Sequence, residues 1–286
     1  MDDFMKLEAT RKKCASQVVL GFIIAALGVI LFIGVSDFPF IGVIVGIVGL
    51  ILLIAGYLRF AKLAHDFKNK YLPQLIEEIL PGAKYSLKGG IPQQDVYNCG
   101  FLKKADRFTT GDLITGQIDG VDFSTCDLKL EERHVRRTKN GTHVYYVAYF
   151  TGRFFEFDFP KDFIGKVIIS EQSLITWFTG LKKIEMESID FNKKFSTYTN
   201  NDHSAFYIIT PHFMEAIMEL ERNNPGSIAL SFHGNKLNIG LNNSKGTFEL
   251  NIFKEINKGL IDVYKRDLLL IRDIVLELKV NRNIFK

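Results

Sequence analysis

The sequence predicts an α+β protein in which an N-terminal transmembrane helical hairpin precedes a largely antiparallel β-sheet domain with peripheral helices. Residues 18–35 and 38–58 carry no charge, and each stretch is close to the 20 or so apolar residues that a membrane-spanning helix needs. Beyond residue 83, short strand-like runs are separated by turn dipeptides and only occasionally interrupted by helical patterns. This order is typical of an antiparallel sheet rather than of alternating βα units.

The two apolar stretches are joined by so short a link, around Asp37, that their helices can only be antiparallel. A buried helical hairpin in a soluble core is the main alternative, and we disfavour it because a soluble helix needs a polar face. A cleaved signal peptide ending near Ser36 is a weaker alternative, since the next apolar stretch begins at once. The sequence therefore predicts a multi-pass protein of the cell membrane.

The charges around the hairpin predict its orientation. Residues 1–70 hold eight Lys and Arg against five Asp and Glu, and the link holds neither Lys nor Arg. Basic residues precede the first stretch, at 11–13, and follow the second, at 59, 62, 68 and 70. Because basic flanks stay on the cytoplasmic side, we expect residues 1–17 to be a cytoplasmic N-terminus and the large domain to be cytoplasmic too.

Small residues recur along both stretches, at Gly21, Ala25 and Gly28 and again at residues 42, 46 and 49. Such faces let helix backbones approach closely. They would serve either oligomerisation or packing of the two helices within one chain, and we favour packing within the chain. Neither stretch contains an ionisable residue, so an ion or proton path through the helices is not expected.

Residues 59–82 form a predicted juxtamembrane helical connector with an apolar stripe, interrupted at Pro73 and ended by Pro81-Gly82. Residues 83–286 form the predicted soluble domain, and a subdomain seam near residues 180–190 is left open. Residues 87–108 are expected to be mostly loop. Strands are predicted at 113–118, 121–123, 127–137, 142–150, 155–159, 167–170, 205–209, 228–232, 236–241 and 248–252.

Turn and cap residues place the other elements. Asp119-Gly120 and Asn140-Gly141 favour tight hairpins, and residues 233–235 predict a third hairpin turn. Residues 174–178, around Trp177, suggest a short helix. Thr210 and Pro211 are suited to begin a helix that ends near residue 222. A last helix over 254–280 carries an apolar stripe that we expect to pack on its own domain rather than on a second copy.

Several motifs resemble those of an uncharacterised bacterial family, a domain of unknown function carried behind an N-terminal transmembrane hairpin. They lie at residues 111–123, 145–159, 165–167, 191–195 and 205–215, so that the resemblance covers about residues 60–260. The family brings no established activity and no catalytic residues. The resemblance therefore implies the architecture and leaves the activity open.

No recognisable catalytic, nucleotide-binding or metal-binding motif is present, so we assign no catalytic residues, no cofactor and no metal. The aspartates at 106, 112, 119, 122 and 127 lack the spacing of a calcium loop. His134 and His143 could face each other, but a metal would need a further ligand such as Cys126. With Cys14 and Cys99, Cys126 makes an odd number without a CxxC pair, which favours packed, reduced thiols over disulfides.

The most concentrated positive feature of the predicted domain is a hairpin tip that carries Arg133, Arg136, Arg137 and Lys139. These residues are candidates for contact with anionic lipid headgroups or with an acidic protein partner. Nucleic acid is not an expected partner, because the aromatic residues nearby alternate with acidic ones and suit a sheet core. The sequence predicts a membrane-anchored cytoplasmic interaction or scaffold module, with an enzyme or small-ligand receptor at the membrane face as the alternative.

Overall fold

The structure, a computed structural model, describes residues 2–34, 39–139, 141–171 and 180–277. Its contacts divide the chain into two compact units, each built from two segments. The first unit holds Met1–Leu75 and Phe248–Arg266, and the second holds Ile76–Thr247 and Asp267–Lys286. The predicted link around Asp37, the residue Asn140 and the predicted helix at Trp177 lie outside the described residues.

The first unit is organised around two long helices, α1 (Asp2–Gly34) and α2 (Pro39–Lys70), followed by α3 (Leu72–Ile79). α1 begins well before the uncharged stretch, so charged residues extend it on the N-terminal side. Both long helices contain a window long and apolar enough to cross a membrane, and only 11% and 17% of those windows is buried.

Glycines set the distance between α1 and α2. A Cβ on Gly49 would lie 2.2 Å from the Ala25 nitrogen, and a Cβ on Gly42 would lie 2.3 Å from the Phe32 nitrogen. Gly56 likewise approaches Val18, so the pairing is antiparallel. The small residues therefore pack the two helices against each other within one chain, which confirms the interpretation that we favoured.

A later chain segment completes the first unit at the charged ends of these helices. Arg11 forms a bidentate ion pair with Glu8 and donates to the Ile252 carbonyl at 2.5 Å. Lys68 is 2.6 Å from Glu249. The Phe67 ring packs on Tyr264, near the beginning of α8 (Lys258–Glu277), with centroids 5.8 Å apart.

The second unit contains a seven-stranded sheet in the described part of the chain, and every strand pairing is antiparallel. Its path is β1-β2-β3-β4-β6-β5, and β7 also pairs with β4. The strands are β1 (Lys84–Ser86), β2 (Arg107–Ile118), β3 (Val121–Thr138), β4 (Gly141–Glu171), β5 (Lys182–Ile184), β6 (Phe195–Thr199) and β7 (Ser227–Asn242). The helices between them are α4 (Gln93–Asn98), α5 (Ile189–Lys194), α6 (Asp202–Ile208) and α7 (Pro211–Asn223). The predicted α+β class is thus confirmed.

Both faces of the sheet are buried around its long central strand, β4. On one face, Cys126, Phe154 and Ile168 pack in a cluster with Val96 and Phe101, which come from the segment expected to be mostly loop. That segment contains α4, and it covers the sheet. On the other face, Phe232 contacts Phe213 of α7, with ring centroids 5.6 Å apart. In the predicted strand at 155–159, Phe155, Glu156 and Phe157 are all buried, whereas Asp158 is partly exposed.

Three sequence predictions are wrong. Residues 205–209 are mostly helical rather than a strand, since the Asn201 side chain caps α6 by accepting from the Ser204 amide. Residues 233–235 form no hairpin turn, because β7 continues through them and pairs with β4 on both sides. Residues 248–252 form no strand, and Phe248 has a φ of 59°.

Two helix predictions are confirmed. Thr210 accepts a hydrogen bond from the Phe213 amide at 3.3 Å, with Pro211 as the first residue of α7. In α8, the predicted stripe is buried within the described range, at Tyr264, Leu268, Ile271 and Val275. This burial fits a helix that packs on its own chain.

Candidate functional site

A two-stranded ribbon, residues 133–147, extends from the sheet of the second unit. β2 pairs with β3 only as far as Glu131, and β7 pairs with β4 only from Gly152. Between these limits β3 and β4 pair with each other alone in the described part of the chain. At about 3.3 Å per residue, the six residues from Arg133 to Thr138 project about 20 Å.

Cross-strand pairs hold the ribbon together and leave apolar surface on both of its faces. Val135 lies opposite Val144 on one face, and His134 stacks on Tyr145 on the other, with ring centroids 5.4 Å apart. Such directly opposed pairs stabilise a two-stranded segment that has no further strand. Even so, Val135, Val144, Tyr145 and Val147 are each nearly half exposed.

The four predicted basic residues all lie on the ribbon, but not at a single point. Arg133 is at its base, where it opposes Tyr146, and the Arg107 guanidinium stacks on the Tyr146 ring at 3.3 Å. Arg136, Arg137 and Lys139 lie at the exposed tip. Among the described residues, no carboxylate forms an ion pair with any of these three. The tip is therefore an uncompensated positive end on an apolar ribbon.

The ribbon does not bring the two histidines together as a metal site would require. His134 opposes Tyr145, whereas His143 opposes Arg136, and Cys126 is fully buried in the core. Within the described ranges, no group of three or more His, Cys, Asp or Glu side chains is placed to hold a metal ion. The idea that His134 and His143 face each other is wrong, because the strand register places them two positions apart, with the Val135–Val144 pair between them.

A cleft of about 640 Å³ lies elsewhere in the second unit, beside the bend at which β4 and β7 run together. Lys166, His233 and Asp162 line it, and Lys166 opposes His233 across the two strands. Gly100, with a φ of 78°, also lines it, and a Cβ there would lie 2.3 Å from the Lys166 Nζ. A glycine is thus needed for the lysine to reach its place.

Lys166 is the half-buried cation of this cleft. Its Nζ donates to the Asn98 carbonyl at 2.7 Å, at the C-terminus of α4, and burial lowers its pKa. Its backbone amide donates to Asn200 Oδ1 at 2.7 Å. Lys166 therefore links β4 to the end of α4 and also reaches the cleft. Asp162 and His233, which line the same cleft, are exposed. Among the described residues that line the cleft, Lys166 is a cation for a small anion, and no nucleophile is paired with a base.

A buried ionic cluster explains part of the aspartate series. Arg153 is 3.1 Å from Asp127 and donates to Thr125 Oγ1 and to the Asp112 carbonyl. The Asp112 carboxylate accepts from the Tyr85 hydroxyl, and burial raises the Tyr85 pKa. Asp112 itself adopts a φ of 53° where the pairing of β2 with β3 shifts register. The Asp112 and Asp127 carboxylates therefore connect neighbouring strands.

The three cysteines are free and buried, as the sequence predicted. Burial raises the pKa of Cys99 to about 12 and that of Cys126 to about 11, so both stay protonated at neutral pH. Protonated, inaccessible thiols are poor nucleophiles. Cys14 is buried as well, with 3% of its surface exposed.

The structure places this chain in the class of α+β proteins in which two apolar N-terminal helices precede an antiparallel sheet with helices. Residues 148–280 match the model of the family described as protein of unknown function (DUF3137). This match confirms the predicted resemblance to an uncharacterised domain family, although the expected resemblance over residues 60–147 is not part of it. No curated protein matches the chain.

Among solved structures, the chain is similar to one titled "crystal structure of the mycobacterial trehalose monomycolate transport factor A, TtfA". The identity is 8% and the TM-score is 0.38, over 73% of this chain and 96% of that chain.

Sequence reasoning found the ribbon but missed Lys166 and Arg153. The turn dipeptide and the basic run at the ribbon tip are local signals. Lys166 and Arg153 gain their surroundings from strands that are distant in sequence, so no local pattern marks either residue.

Proposed function

We propose that this protein is a membrane-anchored cytoplasmic interaction module, and that its ribbon binds an extended acidic segment of a protein partner. The single observation that carries the proposal is the ribbon, which has exposed apolar side chains and, within the described residues, strand edges without a further strand and a basic tip without an ion-pair partner. Anchoring comes from α1 and α2, and both termini lie in the cytoplasm.

The surface of α1 and α2 supports anchoring. Large apolar side chains such as Phe22, Ile30, Ile51 and Leu58 are each more than half exposed. A soluble protein does not leave two helices so apolar and so uncovered, since contiguous apolar patches are normally small. In a bilayer the same side chains meet lipid, and the helices satisfy their own backbone hydrogen bonds.

The ribbon edges support a protein partner over a lipid one. A β-strand edge presents backbone donors and acceptors with which another extended protein segment can form hydrogen bonds. The hydrocarbon core of a bilayer has no groups that could form such bonds. Val135 and Val144 would give such a segment apolar contacts, while Arg136 and Arg137 would attract acidic side chains and hasten encounter. The interaction should therefore weaken as salt is raised.

A photo-crosslinking experiment in native membranes tests the proposal with the full-length chain. A photoreactive amino acid at Val135 or Tyr145 should give a discrete protein adduct that mass spectrometry can identify. Replacing both Arg136 and Arg137 by Ala should reduce it, whereas replacing the exposed Lys182 and Lys183 of β5 should not. Crosslinks to lipid alone, or adducts insensitive to the tip arginines, contradict a protein partner at the ribbon.

Thiol labelling tests the orientation. Single cysteines replace Asp3 or Lys286 in a background with Ala at positions 14, 99 and 126. An impermeant reagent should label them only after the cells are permeabilised. Labelling of intact cells at either position contradicts the proposed topology.

A small-ligand receptor or enzyme remains the alternative, and the half-buried Lys166 in the cleft is the observation that favours it. A soluble anion that raises the melting temperature of the wild type and of Lys183→Gln, but not of Lys166→Gln, would support it. An equal response of all three proteins would count against it.

A further inference from the structure

A groove of about 360 Å³ lies between α1 and α2 within the first unit. Its polar lining includes Lys13, Arg59 and Lys62, with Asp66 as the acidic residue. The buried side chains of Cys14 and Leu63 contribute apolar surface. Three cations against one carboxylate leave the groove with an excess of positive charge.

The three cations are available to a ligand. The Arg59 Nη1 donates to the neutral Gln17 Oε1 at 2.8 Å, and Gln17 in turn donates to the Leu52 carbonyl at 3.3 Å. In the described part of the chain, no ion pair joins Lys13, Arg59 or Lys62 to a carboxylate. All three residues are exposed. Gln17 therefore orients the guanidinium without neutralising it.

The position of the groove along the helices selects its ligand. The apolar stretches have their groove-side ends at Val18 and Leu58. At 1.5 Å per residue, Arg59 lies about 2 Å, Lys62 about 6 Å and Lys13 about 8 Å beyond those ends. The polar headgroup layer is about 5–8 Å thick on each side of the hydrocarbon core. The groove thus coincides with the layer that contains lipid phosphates.

We propose that this groove binds the phosphate headgroup of an anionic phospholipid, with Lys13, Arg59 and Lys62 around the phosphate oxygens. Arginine and lysine are suited to phosphate, and basic pockets beside membrane helices on the cytoplasmic side suit anionic headgroups. The acyl chains of the lipid would extend from the groove toward the membrane interior, along the exposed apolar surface of the helices between Leu58 and Pro39. The proposal rests on the membrane anchoring proposed above, and it is separate from the ribbon.

Native mass spectrometry of the full-length protein released from mixed phosphatidylglycerol and phosphatidylcholine nanodiscs tests the groove. The wild type should retain phosphatidylglycerol in preference to phosphatidylcholine. Replacing Lys13, Arg59 and Lys62 together by Ala should weaken that retention at least about tenfold. A matched variant with Ala at Lys6, Lys12 and Lys70, which loses the same charge outside the groove, should retain the lipid.

A second variant separates the groove from charge alone. Thr10→Trp keeps every cation and narrows the groove, because Thr10 is exposed at its edge. It should also lower retention. Equal losses in the groove variant and the matched variant, or full retention by Thr10→Trp, overturn the site. If inorganic phosphate displaces the lipid at millimolar concentration and binds with the same dependence on Lys13, Arg59 and Lys62, the groove is a site for free phosphate, and the proposal of a phospholipid ligand is overturned.

Resistance of the protein to alkaline extraction from membranes is measured in parallel. Extraction of the wild type into the soluble fraction contradicts the anchoring itself. Firm integration combined with lipid retention that ignores the three cations contradicts only the groove.

Discussion

Gly49 of α2 lies so close to Ala25 of α1 that a Cβ on Gly49 would come within 2.2 Å of the Ala25 backbone nitrogen. Gly46, one helical turn earlier, has nothing within 4 Å of its own Cβ position. Two glycines of the same helix therefore differ in whether a side chain can be accommodated, and this difference makes the helix pair testable.

We predict that Gly49→Leu separates α1 from α2, whereas Gly46→Leu is tolerated. The reporter is a cross-link made by a flexible thiol-reactive reagent between cysteines placed at Gln17 and Arg59, with Cys14→Ala to avoid mispairing; the Arg59 Nη1 lies 2.8 Å from the Gln17 Oε1, so the two positions are within reach of the reagent. The cross-link should form in the parent and in Gly46→Leu and should be largely lost in Gly49→Leu. Undiminished cross-linking in Gly49→Leu would mean that the glycine contact is not made.

The Arg153–Asp127 pair predicts a pH-dependent loss of stability. Arg153→Met leaves a buried carboxylate without its counter-charge and should cost roughly 3–5 kcal/mol at neutral pH. Burial raises the pKa of Asp127, and a carboxyl whose pKa is raised in the folded state lowers stability as the pH rises through that pKa. The cost should therefore shrink as the pH falls and Asp127 becomes protonated.

Thermal unfolding of the full-length protein in detergent, followed by circular dichroism, measures this effect. Asp127→Asn added to Arg153→Met should recover much of the loss at neutral pH, because the neutral amide can still accept from the Thr247 amide. A loss independent of pH, or no recovery in the double variant, would show that packing of the arginine rather than charge dominates.

The buried stripe of α8 predicts a stability effect at Leu268. Leu268 is fully buried, so Leu268→Ala should cost roughly 2–5 kcal/mol. Leu276 is 41% exposed on the same helix, and Leu276→Ala should stay within about 0.5 kcal/mol. Melting curves and sedimentation together distinguish a helix packed in its own chain from an exposed dimerisation surface. If the stripe were a dimerisation surface, Leu268→Ala would abolish self-association and leave the melting temperature of the protein unchanged.

The Glu8–Arg11 pair predicts an acid-sensitive contact in the first unit. The hydrogen bond from Arg11 lowers the pKa of Glu8 to about 2, and Glu8 also accepts from the Ile256 amide at 2.8 Å. A lowered carboxyl pKa stabilises the folded state above the unfolded pKa of about 4.3, and that stabilisation is lost as the pH falls toward 2.

Glu8→Gln should therefore melt at a lower temperature than the wild type at pH 7, and the two curves should converge near pH 2. Asp262→Asn, a change at an exposed carboxylate of the same unit, serves as the control. A difference between Glu8→Gln and wild type that persists unchanged at pH 2 would assign the effect to shape rather than to charge.

Local patterns account for the elements that the sequence predicted correctly. The uncharged stretches, the Thr210–Pro211 helix start and the Asp119-Gly120 turn each depend on residues within a few positions of one another. Periodicity, capping and turn chemistry act over that range. The same holds for the ribbon tip, because its basic residues lie within seven consecutive positions on β3 and in the turn that follows it.

Tertiary structure decided the remainder. Residues 205–209 have strand-like side chains but follow a capped helix start at Asn201, and β7 passes through His233-Gly234 because β4 pairs with it on both sides of the bend. The environment of Lys166, the partners of Arg153 and the groove beside Arg59 are each assembled from separate elements. Burial and long-range strand pairing outweigh local propensity by several kilocalories per mole. They join residues that are distant along the chain, so local sequence patterns do not reveal them.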